Sequence, residues 1–169
     1  MIRILGVLLV LCAAGGFGIS KALGFFSQLK TLREFSAALE ILKCEMNYTL
    51  SPLTKLCKTV STRTKGVCAH FFADYATLLD EGLPRSLVAR RLLGENPSLH
   101  LPNEAQMALL ELFETIGSYE LEGENRLLQL TAHRLNASAE RLEREKKPLA
   151  KSYAALGLCT GLALVILIL

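Results

Sequence analysis

The chain has 169 residues, of which 51% are hydrophobic, and it carries a net charge of +3 at pH 7. A chain of this length has room for one domain with a core of its own. The small net charge and the absence of tryptophan argue against a nucleic-acid-binding function, which favours a strongly basic surface with aromatic side chains for base stacking.

The first predicted element is a transmembrane helix within an uncharged run, residues 4–20, that lies between Arg3 and Lys21. We interpret this run as a signal anchor that stays in the mature protein, because apolar residues continue beyond its small residues. A cleaved signal peptide, cut after Ala14 or Gly15, is the alternative that the sequence leaves open.

The most regular amphipathic pattern follows over residues 29–50, where apolar side chains recur at steps of three and four. The predicted core stripe consists of Leu32, Phe35, Leu39, Leu42 and Met46. Ser51 is expected to cap a second helix that has Pro52 at its first position, so that the two helices form an antiparallel hairpin. The second helix carries the apolar side chains Leu53, Leu56, Cys57 and Val60.

Three further helices are predicted before the long C-terminal one. The first covers residues 67–79, ends at Gly82 and Pro84, and has an apolar face of Phe71, Phe72, Tyr75, Leu78 and Leu79. A short helix with the core residues Leu87, Val88, Leu92 and Leu93 follows, and then an irregular loop over 94–102. The third helix covers 104–116, with Asn103 as its cap and a buried face of Leu109, Leu112, Phe113 and Ile116.

Gly117 ends this third helix, and a long helix is predicted from Glu124 to the C-terminal apolar run. Its leucines fall on a seven-residue repeat, at Leu121, Leu128, Leu135, Leu142 and Leu149. The positions that accompany them are polar, so we expect a narrow contact seam with the rest of the helix exposed. Pro148 should bend the helix near the membrane surface.

Residues 153–169 form a second uncharged run, near the short end of membrane-spanning length. Gly157 and Gly161 give it a small-residue face on which another membrane helix can pack, although glycine is common in membrane helices in any case. Basic residues cluster on the inner flanks of both runs, which predicts that the intervening domain is cytoplasmic. The predicted fold is therefore all-α, with a transmembrane helix (1–20), a cytoplasmic helical hairpin or bundle (21–152) and a transmembrane helix (153–169).

The sequence contains no pattern that indicates catalysis, a metal site or a cofactor. Gly-rich phosphate loops and Gly-x-Ser-x-Gly are absent, and none of the three histidines follows a glutamate by three residues, as a di-metal helix bundle requires. The five cysteines show no paired spacing and are expected to be free, buried thiols in a reducing compartment. We therefore predict a protein that is not an enzyme and uses no cofactor.

One segment is unusually acidic: residues 92–125 contain seven glutamates and no lysine or arginine. Such a segment is either a solvated acidic face or a docking surface for a basic partner, since complementary charge speeds association. The candidate partner-binding residues are Glu111, Glu114, Glu120, Glu122 and Glu124. Glu124 is also placed to stabilise the start of the long helix, because helix N-termini favour negative charge.

Three groups of residues, in this order and at these distances, resemble the stage III sporulation protein AB family of endospore-forming bacteria. The first group is Leu32-Arg33, Ala38-Leu39-Glu40, Glu45-Met46-x-Tyr48 and Ser51-Pro52-Leu53. The second is Gly117 with Glu120, and the third is Lys151-Ser152-Tyr153 with Leu156-Gly157 and Gly161. The likeness covers the full length. The chain departs from the family pattern at Ser51, Glu120 and Glu124, where threonine, aspartate and glutamine are usual.

The resemblance implies a non-catalytic platform subunit of the sporulation channel, in the mother-cell membrane that faces the forespore. Its domain would be similar to the cytoplasmic helical domain of type II secretion F platform proteins. By that likeness it would couple a cytoplasmic secretion-type ATPase to the membrane subunits. The implied partners are other channel subunits, that ATPase and membrane lipid, without nucleic acid and with homo-oligomers left open. The alternatives are a membrane-anchored scaffold or regulator unrelated to secretion, and an exported helical protein with a cleaved N-terminus.

Overall fold

The computed structural model describes the backbone of residues 2–49, 51–94, 99, 101–118 and 120–168, and the side chains of 24, 26–49, 51–94, 99, 101–118 and 120–145. The helices in this part of the chain are α1 (Ile2–Tyr48), α2 (Leu53–Arg63), α3 (Gly66–Asp80), α4 (Arg85–Gly94), α5 (Asn103–Thr115) and α6 (Leu121–Ile168). No strand occurs within the described backbone, which confirms the all-α prediction for these residues.

The chain divides into two compact units. One consists of residues 1–27 and 141–169, and the other consists of residues 28–140. Where the structure describes the chain, no helix combines the length and the apolar content that a membrane crossing requires. The two predicted spans, with Gly157 and Gly161, lie outside the residues whose side chains are described, so their insertion stays a prediction.

Two contacts bring the end of α2 and the start of α3 back to α1 in the 28–140 unit. An ion pair of 2.5 Å between Arg63 Nη1 and Glu45 Oε1 holds the last turn of α2 beside α1. Farther back along α1, the carbonyl of Glu34 accepts a hydrogen bond of 3.7 Å from the thiol of Cys68, at the start of α3. The chain therefore reverses between α1 and α2, as the Ser-Pro turn predicts.

Both predicted helix caps are wrong by one position. Pro52 and Pro102, and not Ser51 and Asn103, precede the first helical residues of α2 and α5, and no side-chain hydrogen bond caps either helix. A proline suits this place because its fixed φ is compatible with an extended backbone, here with ψ of 148° and 144°. Each proline carbonyl accepts an early helical hydrogen bond, at 3.1 and 2.9 Å.

The core of this unit forms where α1 meets the aromatic residues of α3 and α5. Of the predicted α1 stripe, Met46 alone is not buried. The ring of Phe71 lies 5.3 Å from that of Phe35 and 4.9 Å from that of Phe113, both edge to face, as aromatic pairs prefer. The buried hydroxyl of Tyr75 donates to the carbonyl of Phe113 at 2.8 Å, so the polar end of this side chain is satisfied.

α4 buries a different face from the one predicted. Val88 and Leu93 are buried as expected, but Leu87 is 51% exposed and Leu92 only half-buried. Successive residues of a helix point about 100° apart, and burial of both Val88 and Ala89 turns residue 87 away from the core. The positions of the apolar residues in this ten-residue helix were therefore not enough to predict which of its faces packs against the core.

α6 begins at Leu121, three residues before the predicted start, and its contact seam is wider than predicted. Leu128, Leu135 and Leu142 are buried, whereas Leu121 is 43% exposed. The polar positions Glu124, Thr131 and Ser138, which were expected outside a narrow seam, are buried as well. The hydroxyl of Thr131 donates to the Leu127 carbonyl at 2.9 Å, which makes its burial tolerable. Pro148 and Leu149 lie outside the residues whose side chains are described.

Candidate functional site

The structure separates the five predicted docking glutamates into three groups, of which Glu111 and Glu114 of α5 are the first. Glu114 Oε1 accepts a hydrogen bond of 2.7 Å from Nε of Arg90 in α4, and Glu111 Oε2 accepts one of 3.0 Å from Nη1 of Arg134 in α6. The hydrogen bond with Glu114, together with its charge, raises the pKa of Arg90 above its usual value. Arginines of neighbouring helices thus balance these two negative charges.

The second group is Glu120 and Glu122, at the start of α6. Both side chains are exposed, and neither forms an ion pair with a residue that the structure describes. They border an open groove of about 790 Å³ between the C-terminal part of α1 and the first turns of α6. The groove is lined by Lys43, Glu120, Glu122, Asn125, Arg126 and Gln129.

A pair of amides joins the two helices that form this groove. Asn47 Nδ2 donates to Asn125 Oδ1 at 3.0 Å, and Asn125 Nδ2 donates in return to Asn47 Oδ1 at 2.8 Å. Asn47 Nδ2 also lies 2.8 Å from the carbonyl of Lys43, to which it donates. These contacts hold the end of α1 against the start of α6, so the groove has walls at a set separation.

Glu124 forms the third group, because its side chain points into the bundle and is only 2% exposed. Its Oε1 accepts a hydrogen bond of 2.7 Å from the backbone N–H of Gly117, in the turn between α5 and α6. The neighbouring carbonyl, that of Ile116, accepts a hydrogen bond from Nη1 of Arg85 in α4. Glu124 therefore does not belong to the exposed docking surface predicted for this segment, and it contacts the turn instead.

Two of the three described thiols lie buried in the bundle. Burial raises the pKa of Cys57 and Cys68 from 9.0 to about 12, with the charge of Glu34 adding to the effect at Cys68. Both thiols are therefore protonated near neutral pH and are poor nucleophiles. Cys44 is exposed, contrary to the prediction of buried thiols, and the two remaining cysteines lie outside the described side chains.

No metal site is found among the described residues: nowhere in that part of the chain do three histidine, cysteine or acidic side chains cluster. The groove brings two acidic and two basic side chains together at the surface of the 28–140 unit.

Sequence reasoning missed the basic residues that face the glutamates. Arg90 and Arg134 are 24 and 23 positions away from their partners, a separation at which no local pattern predicts contact. One signal was readable: Arg126 follows Glu122 by four residues, which on a helix puts both on the same side. No pattern in the sequence predicted that Lys43 of α1 would line the same groove as these residues of α6.

Comparisons with known proteins agree on one family. The sequence profile of the family described as stage III sporulation protein AB matches residues 3–169. A stage III sporulation protein AB from Bacillus subtilis (strain 168) is 23% identical over 171 residues, which span 100% of both chains. A solved structure, also a stage III sporulation protein AB, superposes with a TM-score of 0.65 at 20% identity, over 72% of this chain and 98% of its own. These relatives are named for sporulation and not for a reaction.

Proposed function

The chain belongs to the stage III sporulation protein AB family, and we propose that it is a non-catalytic membrane platform subunit of the sporulation channel between mother cell and forespore. In this role its helical bundle couples a cytoplasmic secretion-type ATPase to the membrane subunits of the channel. The two apolar runs hold the protein in the mother-cell membrane that faces the forespore, and residues 21–152 lie in the cytoplasm.

The observation that carries this proposal is the open groove bordered by Glu120 and Glu122. Glu111 and Glu114 are balanced by arginines, whereas Glu120 and Glu122 make no ion pair with the described residues. Surface carboxylates that form no direct ion pair present a local attractive field to a basic partner, and such a field raises association rates. We therefore place the docking of a basic segment of the ATPase at the part of this groove that carries Glu120 and Glu122.

The basic residues of the same groove restrict which segment fits. Lys43 and Arg126 also line it, so a segment that is basic throughout would meet repulsion on part of its length. A matching segment is basic where it meets Glu120 and Glu122, and acidic or polar where it meets the two cations. Attraction and repulsion in one groove give specificity as well as affinity.

The test uses the full chain in lipid nanodiscs and the purified ATPase, with association followed by surface plasmon resonance at low and at high salt. The double variant Glu120→Gln, Glu122→Gln should slow association at low salt on the order of ten-fold, because it removes the attractive charge. The matched control is Glu111→Gln, Glu114→Gln, which removes the same charge from α5. The control should change the rate by less than about two-fold, since Glu111 and Glu114 do not line the groove.

An association rate that the groove variant leaves unchanged at both salt concentrations would return the segment to a solvated acidic face. Equal slowing by both double variants would assign docking to the charge of the whole segment rather than to the groove. A chain that captures membrane proteins from sporulating cells, yet has no affinity for the ATPase, would favour the scaffold function.

A further inference from the structure

Glu124 is fixed to the turn that precedes the groove, and we propose that it is a positioning residue for docking. In this inference, which rests on the proposed function, the buried carboxylate holds the α5–α6 turn in the conformation that presents Glu120 and Glu122 to the groove. Glu124 would not touch the partner. It would act through the backbone that carries the two exposed carboxylates.

The turn is held by side chains from two different helices at successive backbone groups. Arg85 of α4 donates to the carbonyl of Ile116, and Glu124 of α6 accepts from the N–H of Gly117 at 2.7 Å. The turn itself adds a hydrogen bond of 3.1 Å from Ser118 N–H to the Thr115 carbonyl. Both sides of one peptide unit are thus anchored to the bundle.

The backbone at this point tolerates little change. Gly117 has a φ of +84°, in the left-handed region that glycine adopts without strain. A Cβ atom added there would lie 2.7 Å from Arg85 Nη1, so the guanidinium packs directly against the glycine. Arg85 thus packs against Gly117, and the Glu124 carboxylate binds the N–H of the same residue.

Glu120 and Glu122 lie on the short stretch between the two anchored points. Gly117 and Glu124 are seven residues apart and are joined by their hydrogen bond. Within the stretch, the N–H of Glu124 donates to the carbonyl of Glu120 at 3.0 Å, which closes the first turn of α6. Glu124 thus binds Gly117 through its side chain and Glu120 through its backbone N–H. Groups that are held in place before binding lose less entropy when a partner arrives.

The chemistry of the contact predicts which replacements are tolerated. A glutamine at position 124 keeps an acceptor oxygen at the same reach and can still bind the Gly117 N–H. Leucine has a similar bulk but no acceptor atom. Aspartate keeps a carboxylate, but its side chain is one carbon shorter, so its oxygens end about 1.5 Å short of the Gly117 N–H. Function should therefore follow the acceptor and not the negative charge.

The experiment compares Glu124→Gln, Glu124→Leu and Glu124→Asp in the full chain in lipid nanodiscs. Hydrogen exchange at the turn reports the Gly117 N–H, and surface plasmon resonance with the ATPase reports docking. Glu124→Gln should keep both amide protection and the association rate within about two-fold of the unchanged chain. Glu124→Leu should lose the protection and slow association on the order of ten-fold, like the double variant of the groove.

Glu124→Asp keeps a carboxylate at position 124 and serves if the leucine variant does not fold: it too should lose protection and slow association. If either the leucine or the aspartate variant loses protection of the Gly117 N–H but keeps its association rate, the positioning role is overturned. It is overturned as well if both variants keep that protection. The groove variant Glu120→Gln, Glu122→Gln tells the two failures apart. If that variant binds normally, the docking function fails and the positioning role fails with it; if it binds slowly and the Glu124 variants do not, the positioning role alone fails.

Discussion

Replacing Gly117 by alanine should destabilise the 28–140 unit far more than the same change at Gly82. Both glycines have a φ of +84°, so the cost of holding an alanine in the left-handed region is common to both. They differ in what an added Cβ meets. Nothing lies within 4 Å of it at Gly82, whereas Arg85 Nη1 lies 2.7 Å from it at Gly117. The pair of substitutions therefore separates backbone strain from the loss of a tertiary contact.

The magnitudes follow from those two contributions. Left-handed backbone costs an alanine roughly 1–2 kcal/mol, and the lower entropy of its unfolded chain returns about 0.4–1 kcal/mol. Gly82→Ala should thus cost about 1 kcal/mol. At Gly117 the flexible Arg85 side chain can move aside, but it then loses its hydrogen bond to the Ile116 carbonyl. A charged hydrogen bond adds about 1.5–3 kcal/mol, so Gly117→Ala should cost about 2–4 kcal/mol.

The assay is urea unfolding of the full chain in mild detergent, followed by circular dichroism. A third variant, Arg85→Met, removes the guanidinium and keeps the apolar stem. In that background Gly117→Ala should cost no more than Gly82→Ala, because the contact it displaces is already gone. Equal destabilisation by the two glycine variants in the unchanged chain would refute the role given to Arg85.

The remaining predictions concern the core, the thiols and the topology. Tyr75→Phe removes a buried hydroxyl that donates at 2.8 Å to an α5 carbonyl, and unfolding should become easier by about 1–2 kcal/mol. Cys57 and Cys68 hold their protons in the folded bundle up to a pKa of about 12, against 9.0 in the unfolded chain. Their contribution to stability is thus complete below pH 9 and should fall as the pH rises towards 12. The free energy of unfolding, measured as a function of pH, should show this fall. A variant with serine in place of both cysteines should not show it. A reporter that is active only in the cytoplasm should be active when it is inserted within residues 94–102, and activity of an extracytoplasmic reporter there would reverse the proposed orientation.

The helices of the bundle and most of its core could be read from the sequence. The stripe of α1 and the face of α5 were predicted residue by residue, and Met46 alone among them is not buried. Such predictions succeed because the spacing of apolar residues along a helix is a local property, fixed by 3.6 residues per turn. They fail on α4, where Leu87 is exposed, because a short helix with apolar residues on several sides leaves its orientation to its neighbours.

The candidate site was only half determined in this way. The sequence located an acidic segment, but its charges could not be sorted along the chain. Arg90 of α4 and Arg134 of α6 balance two glutamates of α5. Lys43 of α1 lines the groove that Glu120 and Glu122 border. Electrostatic partners of this kind are set by distance in space, which sequence separations of 23, 24 or more residues do not reveal.

Glu124 shows the same division most clearly. The sequence placed a carboxylate at the start of a long helix, where a negative charge is favourable, and offered no reason to separate it from Glu120 and Glu122. Tertiary structure alone turned it inward, because packing of α6 on the bundle covers one side of the helix and the Gly117 N–H lies within reach there. The order of residues fixed which charges the segment carries, and the packing of helices decided which of them face a partner and which hold the fold.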